Sequence, residues 1–533
     1  QIYQKKKDYI LSFEFYFIVL ILTLTFINSL LYPPNTLDAM SYHMTKVMHW
    51  AQNSNVNFYP TQDLRQLILA PFAEYVILHL YLLSGTDSFS NLVQWYSMFI
   101  SCMAVSLIVK EFGCNYKLQI FSILFCTTLP MGILQSSSTQ TDYVASMWLI
   151  IMVYFLLKYI NSGFLKYIFG FACSLAIGIL TKGTVYIFAF SFCVWMGTYV
   201  ILKYRSHFLY LFIIPILIII INFGHFNRNI NLFQNPLGLT EKNNNWTNDV
   251  INIKTLTANF TRNVGLNLSV PNKKINNFTA KKITSSLEQL NISTSDPATT
   301  RIPRYGYYIP FSFYESSAPN TLHFIIILFV IFLIIYKRNL SNNEKNYFYS
   351  TIASFVFFSL LLKWTSVHNR LLLSFFILSA PIVSYVLYKV KSDKIIKVII
   401  ISVSIYSIPY VLFNKSRPLL AEMKLENGGP KFYKPFFLKE TRNELYFIAD
   451  RFYNSRDLHE YYSKIEKKLE KFNCDRIGFD GNNTNLEYPL WVLLKSPDLK
   501  IYNINVENKS SSIKADNDNL CAIVYANELK IIN

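Results

Sequence analysis

The stretch from Pro33 to Trp50 reads PPNTLDAMSYHMTKVMHW and follows a long apolar run, so Asp38, Tyr42, His43, Lys46 and His49 gather at the mouth of a membrane-length segment. A carboxylate so placed suits general-base work, taking a proton from a hydroxyl while neighbouring groups share its hydrogen bonding. α-Helical spacing sets Asp38, Tyr42, Thr45 and His49 on one face, which makes His49 the expected helper and turns His43 elsewhere. A second reading of Asp38 stays open: with Asn35 as an N-cap, Asp38 falls at N3, where a carboxylate only complements the helix dipole. An interfacial histidine, too, is more often a hydrogen-bonded structural group than a ligand.

Other ionisable residues mark further junctions between polar and apolar sequence. Asp142 stands where SSSTQT meets an apolar run, and Lys182, Arg228, Glu315 and Arg370 occupy comparable places. Charges at membrane depth are costly, which makes each a functional candidate. Plainer readings remain: Asp142 complementing a helix dipole, Lys182 snorkelling from a span end, Arg370 anchoring at the interface. Glu74 lies in the apolar stretch 67–84, where an unpaired carboxylate is disfavoured, so a charged partner or a metal ion is expected beside it. Tyr59, Asp63 and Arg65 read as staples of the same loop.

The elements that must position these groups are membrane helices. The chain is 52% apolar, 17% aromatic and only 15% charged, with a mean hydropathy of +0.26; soluble domains carry about a quarter charged residues. Apolar runs near the ~20 residues needed to cross a bilayer fall at roughly 10–32, 90–110, 118–134, 143–158, 165–181, 184–203, 208–223, 321–336, 346–363, 370–388 and 396–413. The fold class expected is a polytopic α-helical membrane protein with about 11 transmembrane helices. The first run is too long for a signal-peptide core and lacks a small-residue cleavage site, so it reads as a retained span. The net charge of +18 and pI near 9.3 come from lysines clustered between apolar runs, which are topology signals and imply no nucleic-acid partner.

Alternate connections carry these clusters: Lys5 to Lys7, Lys110 and Lys117, Lys158 and Lys166, Lys203 and Arg205, Lys337, Arg338 and Lys345, and Lys389, Lys391, Lys394 and Lys397. The positive-inside rule assigns them to the cytoplasm. The other connections, 33–89, 135–142, 182–183, 224–320, 364–369 and everything after 413, then face outward. Counting 67–84 as a span would reverse the bias of every later loop, so it is expected to lie in or dip into the outer leaflet. Asp38, Asp142, Lys182, Arg228, Glu315 and Arg370 thereby share the outer face.

Two units follow: a transmembrane unit, 1–413, with a first outer loop at 33–89 and a polar, Asn-rich outer loop at 224–320, and a small C-terminal α/β extracytoplasmic domain, 414–533. In the latter, RDLHEYYSKIEKKLEKF reads as an amphipathic helix, DRIGFDG as a strand, LEYPLWVLLK as a short helix, and LKIYNI and CAIVYA as strands. Five cysteines lie in or beside apolar runs without metal-ligand spacing. Cys474 and Cys521 precede or begin two of the strands and are expected to pair in an oxidising compartment.

The segments PPNTLDAMSYHMTKVMHWAQ, FYPTQDLRQL, APFAEYVILHL, SSSTQTDYVASMW, LTKGTVYIF, FNRNINLFQNPLG, HNRLLLSFFILSAP and NLEYPLWVLL, in that order, resemble the bacterial branch of the GT-C glycosyltransferases, polytopic relatives of protein O-mannosyltransferases and aminoarabinose transferases. The resemblance implies an inner-membrane transferase with a polyprenyl-phosphate sugar donor, Asp38 as catalytic base and Asp142 as a second outer-loop aspartate. One departure stands out: relatives tend to show His-Glu-Asp before span eight, whereas this chain has Tyr314-Glu315-Ser316, so only the Glu carries over. For such a donor, Lys182, Arg228 and Arg370, or a divalent metal ion, would stabilise the departing phosphate. Tyr42, His43, His49, Glu74 and Glu315 would support the site. The competing class is a transporter or flippase of lipid-linked sugars, which should show two similar halves with Gly/Pro-broken helices; the sequence has no such internal repeat.

Overall fold

The computed structural model describes residues 12–238, 245–337, 340–390, 392–426, 429–447, 455–472, 474–481, 486–494, 498–514, 519–525 and 529–532. Lys5 to Lys7, Arg338 and Lys391, which enter the charge-bias reading, lie outside the described residues, as does the start of the 10–32 span.

A helix or helix pair stands at every one of the predicted spans. Among the described residues, seven helices are long and apolar enough to cross a membrane: Phe13–Leu31, Leu92–Glu111, Asp142–Ser162, Thr184–Lys203, Arg205–Phe233, Leu373–Val390 and Asp393–Leu412. The pair Tyr116–Thr127 and Pro130–Ser136 makes an eighth if counted as one span, though it bends by 68°. Pro130 causes the bend by disfavouring helical geometry at the residue before it, and Leu129 is extended at φ −60°, ψ 117°. Lys166–Thr181 and Thr321–Tyr336 are apolar but shorter, and Asn342–Leu361 opens on the polar run NNEKNY. The stretch 67–84 is broken at Pro71 into Arg65–Ile68 and Phe72–Ser84.

The segment 224–320 departs most from expectation, because it carries helices of its own. The preceding helix runs on to Phe233, and two more follow at Ile253–Asn267 and Lys273–Gln289. Asparagine caps account for both starts: Asn252 accepts from Thr255 N, and Asn272 from Lys274 N and Ile275 N. The segment folds back onto the 361–364 connection, where Asn259 Nδ2 donates to Leu362 O at 3.0 Å and Lys363 N to Trp246 O at 2.9 Å. Its anchor is Arg262, buried and donating to Ala258 O, Thr294 O, Thr299 and Thr300 Oγ1.

After residue 413 come a hairpin of β1 (Glu422–Glu426) and β2 (Gly429–Tyr433), and a four-stranded sheet of β3 (Arg476–Asp480), β4 (Lys500–Asn503), β5 (Ala522–Tyr525) and β6 (Leu529–Ile531) in the order β4-β3-β5-β6. β3 runs parallel to β4 and β5, and β6 is antiparallel. Ile477, Ile501 and Val524 pack under Tyr462, Ile465 and Leu469 of the helix Ser455–Lys471, which shows the amphipathic pattern its sequence predicts. Cys474 and Cys521 form a disulfide beside the starts of β3 and β5. The sheet is seated on the first loop: Ile501 N donates to Gln52 Oε1 at 2.8 Å, Ser510 Oγ to Thr61 O at 3.0 Å, and His49 Nε2 lies 2.6 Å from Glu487 Oε1.

Candidate active site

Four of the ionisable residues, drawn from four connections, meet at one end of the helix bundle. Lys182 Nζ donates to Asp142 Oδ1 at 2.6 Å, Arg370 Nη1 donates to Asp38 Oδ2 at 2.7 Å, and Arg370 Nε lies 3.6 Å from Asp142 Oδ2. Arg370 thus bridges the two aspartates. Beyond Asp38 the alternation continues through Arg65, 3.9 Å from its Oδ1, to Asp63, which takes the Arg65 fork at 2.7–3.0 Å. Arg65 also lies over the Tyr42 ring at 4.7 Å. Gln140 Nε2 donates to Asp38 Oδ2 at 3.3 Å.

Local chain chemistry explains how these carboxylates come free of helix duty. Asp142 opens the helix Asp142–Ser162, and the orphan N–H groups of Tyr143 and Val144 donate to Gln94 Oε1 at 2.8 and 3.3 Å. Asp142 is left to face Lys182, which ends the helix Lys166–Thr181 in an extended conformation. Asp38 makes no capping bond. Thr36 Oγ1 takes Ala39 N at 3.0 Å instead, while Asn35 is turned away to Ser416 O, Leu445 O and Arg417. The cap reading with Asn35 is therefore replaced by a Thr36 cap.

The chain from Ala39 to His43 forms a π-helical turn, with Met44 N donating to Ala39 O. Buried side chains support the widened turn: Thr45 Oγ1 donates to Met40 O at 2.9 Å, and Gln66 Nε2 takes up Ser41 O at 2.9 Å. The extra residue shifts the expected helical faces. His43, expected to point elsewhere, is the histidine that stands among the groups surrounding Asp38. His49, the expected helper, is instead buried against Glu487, Asn503 and the Tyr59 ring, and belongs to the joint with the C-terminal sheet.

Glu74 has the partner its apolar setting demands. His43 Nδ1 lies 2.7 Å from Glu74 Oε1 and Lys46 Nζ 3.5 Å from it. Arg228 is not joined to either aspartate: its Nη2 donates to Tyr75 OH at 2.8 Å and its guanidinium lies over Phe58. Glu315 is likewise apart, accepting from Ser416 Oγ at 2.8 Å and facing Arg417 at 3.6 Å, deep in the packing that holds Asn35.

Burial pushes the Asp38 carboxyl up, but the Arg370 and Arg65 guanidiniums outweigh it and hold the group well below the usual carboxylate range. The Tyr42 hydroxyl is pushed up by burial and by Asp38 beside it. Burial, with Arg370, pushes the Lys182 ammonium down against the pull of Asp142. Some polar atoms are left over: Asp142 Oδ2, Arg370 Nε, His43 Nε2 and Glu74 Oε2 are buried without a hydrogen-bond partner. Among the described residues no group of three or more His, Cys, Asp or Glu side chains is placed to hold a metal ion. Both aspartates face cations, so the donor set does not fit a divalent ion.

Sequence reasoning did not foresee Gln94, Gln140 or the part of Arg65 in this cluster. Arg65 had the one available signal, a basic residue in a loop assigned outward.

A polytopic helical bundle with Asp38, Asp142, Lys182 and Arg370 meeting at one end defines a membrane protein of GT-C-like fold. No protein-family model matches the sequence, and no curated protein matches it. Among solved structures, ArnT from Cupriavidus metallidurans bound to undecaprenyl phosphate aligns with 93% of this chain and 86% of its own at a TM-score of 0.55 and 12% identity. The apo state of the same protein aligns with 91% of this chain and 84% of its own at a TM-score of 0.42 and 13% identity. The first alignment establishes a shared fold, the one the sequence resemblance implies.

Proposed function

We propose that this chain is a membrane glycosyltransferase that moves a sugar from a polyprenyl-phosphate donor to a lipid, glycan or protein acceptor on the outer face of the inner membrane. In this reading the eleven predicted spans all cross the bilayer and 414–533 forms an extracytoplasmic domain. The observation that carries the proposal is the chain Lys182–Asp142–Arg370–Asp38, assembled at one end of a fold shared with a protein whose structure holds undecaprenyl phosphate.

Glycosyl transfer needs a base at the acceptor hydroxyl and positive charge for the leaving phosphate, with an oxocarbenium-like state between. Asp38 is the base in this scheme, and Arg370 and Lys182 hold the phosphate. The two functions are coupled through Arg370. A phosphate that takes up the guanidinium draws it from Asp38 and adds negative charge nearby, and both changes raise the carboxylate's affinity for a proton. The base therefore strengthens when the donor is bound. Arg228, bound to Tyr75 in this structure, is assigned to the donor phosphate less directly, at the neighbouring Glu74 cluster.

The test is sugar transfer by the purified full chain in lipid nanodiscs, supplied with radiolabelled polyprenyl-phosphate sugars and membrane extract as acceptor. Label should leave the donor and free polyprenyl phosphate should appear. Intact donor that merely crosses the bilayer of a vesicle would overturn the reading in favour of a flippase.

A further inference from the structure

The proposed transfer leaves a proton to place: once the phosphate departs and Arg370 returns, the Asp38 carboxylate, flanked by Arg370 and Arg65, holds one poorly near neutral pH. Five residues on, the π-helical turn delivers His43. Its Nδ1 lies 2.7 Å from Glu74 Oε1. A carboxylate only accepts, so Nδ1 carries the hydrogen and Nε2 of the neutral ring carries a lone pair. That Nε2 is buried and has no partner, a state that in a native protein calls for an explanation. Imidazole held by a carboxylate at one nitrogen and open at the other is the arrangement of an oriented base.

We propose that His43, oriented by Glu74, receives the proton that Asp38 takes from the acceptor, an inference that rests on the glycosyltransferase reading. The acceptor oxygen bonds to the anomeric carbon as the bond from that carbon to the phosphate oxygen breaks, and the electron pair departs with the polyprenyl phosphate. The hydroxyl proton goes to Asp38 and then to His43 Nε2, and the imidazolium is stabilised by Glu74 through Nδ1–H. Flanked by Arg370 and Arg65, the Asp38 carboxylate gives the proton up readily, and the ring oriented by Glu74 takes it. The charged and titratable groups around His43 are Asp38, Tyr42 and Lys46 on its own segment and Glu74 on Phe72–Ser84, with Arg65, Arg370 and Arg228 beyond them.

The test compares the full chain with H43Q and H43A in nanodiscs, following transfer from labelled polyprenyl-phosphate sugars across pH 5–9 and, separately, binding of undecaprenyl phosphate. Transfer by H43Q should fall at least tenfold and lose the acid-side limb of the wild-type pH profile, with lipid binding within threefold of wild type. A merely structural role would leave the profile's shape unchanged. H43Q transfer within threefold of wild type, with the same limb, overturns the inference and leaves the glycosyltransferase reading standing. A wild-type chain that transfers no sugar brings down both. If H43Q loses lipid binding as well, H43A decides: recovery of transfer with added imidazole supports the relay, and no recovery overturns it.

Discussion

Asp38 and Asp87 lie in the same loop and both meet arginine, yet their surroundings differ. Asp87 Oδ1 accepts from Arg442 Nη2 at 2.6 Å, and Oδ2 from Tyr446 OH at 2.6 Å and Tyr488 OH at 2.7 Å, so both oxygens are filled by the C-terminal segment. Around Asp38 the charges are paired but the bonding is incomplete. Arg370 Nε and Asp142 Oδ2 stand 3.6 Å apart, and His43 Nε2 has no partner. A joint between parts of a chain gains from complete satisfaction of its polar groups, whereas a site for a ligand must keep some in reserve.

The largest effect that would break this contrast is on turnover. Asp38→Asn should lower transfer by about 10²- to 10⁴-fold, the range for loss of a general base, with the melting temperature within a few degrees of wild type; near-normal turnover would sink the catalytic role. Arg370→Gln removes charge-assisted hydrogen bonds worth ~1.5–3 kcal/mol, so undecaprenyl phosphate should bind about 10- to 150-fold more weakly in a flotation assay. Asp87→Ala should act the opposite way. It leaves two buried tyrosine hydroxyls unpaired, costing ~1–3 kcal/mol of stability, while transfer per folded molecule stays unchanged; lost turnover in a fully folded Asp87→Ala protein would erase the distinction between joint and site.

The smallest effect is a pH dependence. The Asp38 carboxyl sits below its unfolded value of about 3.9, so the native state binds fewer protons than the unfolded one. Its contribution to stability is complete above about pH 4 and is lost as the pH falls through the native value. Wild type should therefore lose thermal stability more steeply than Asp38→Asn between roughly pH 4 and pH 2. Parallel curves would show that Arg370 and Arg65 do not hold the carboxylate.

Asp38, Asp142, Lys182 and Arg370 were legible in the sequence because each sits at the end of an apolar run, and outward basic residues oppose the topology bias. The places of Arg228 and Glu315 were not, since run ends fix a level along the bundle but not a direction across it. Gln94 and Gln140 were silent because neutral amides leave no charge or periodicity signal. The helices of 224–320 were hidden by polarity: their stability rests on asparagine caps and on Arg262, which burial alone reveals. His43 and His49 exchanged parts because the face argument assumed α-helical spacing throughout.

That exchange gives the turn Ala39–His43 a further meaning, as a vernier. It holds one residue more than an α-helical turn would, and one residue in a regular helix corresponds to a rotation of about 100°. Removing any one residue from it would leave flanking segments able to form the same helices, yet would swing the first carboxylate away from everything C-terminal to it. Length variation at this point would thus alter what the charged cluster can do while sparing the scaffold, and a single codon gained or lost there is the smallest change by which chemistry and architecture could part company.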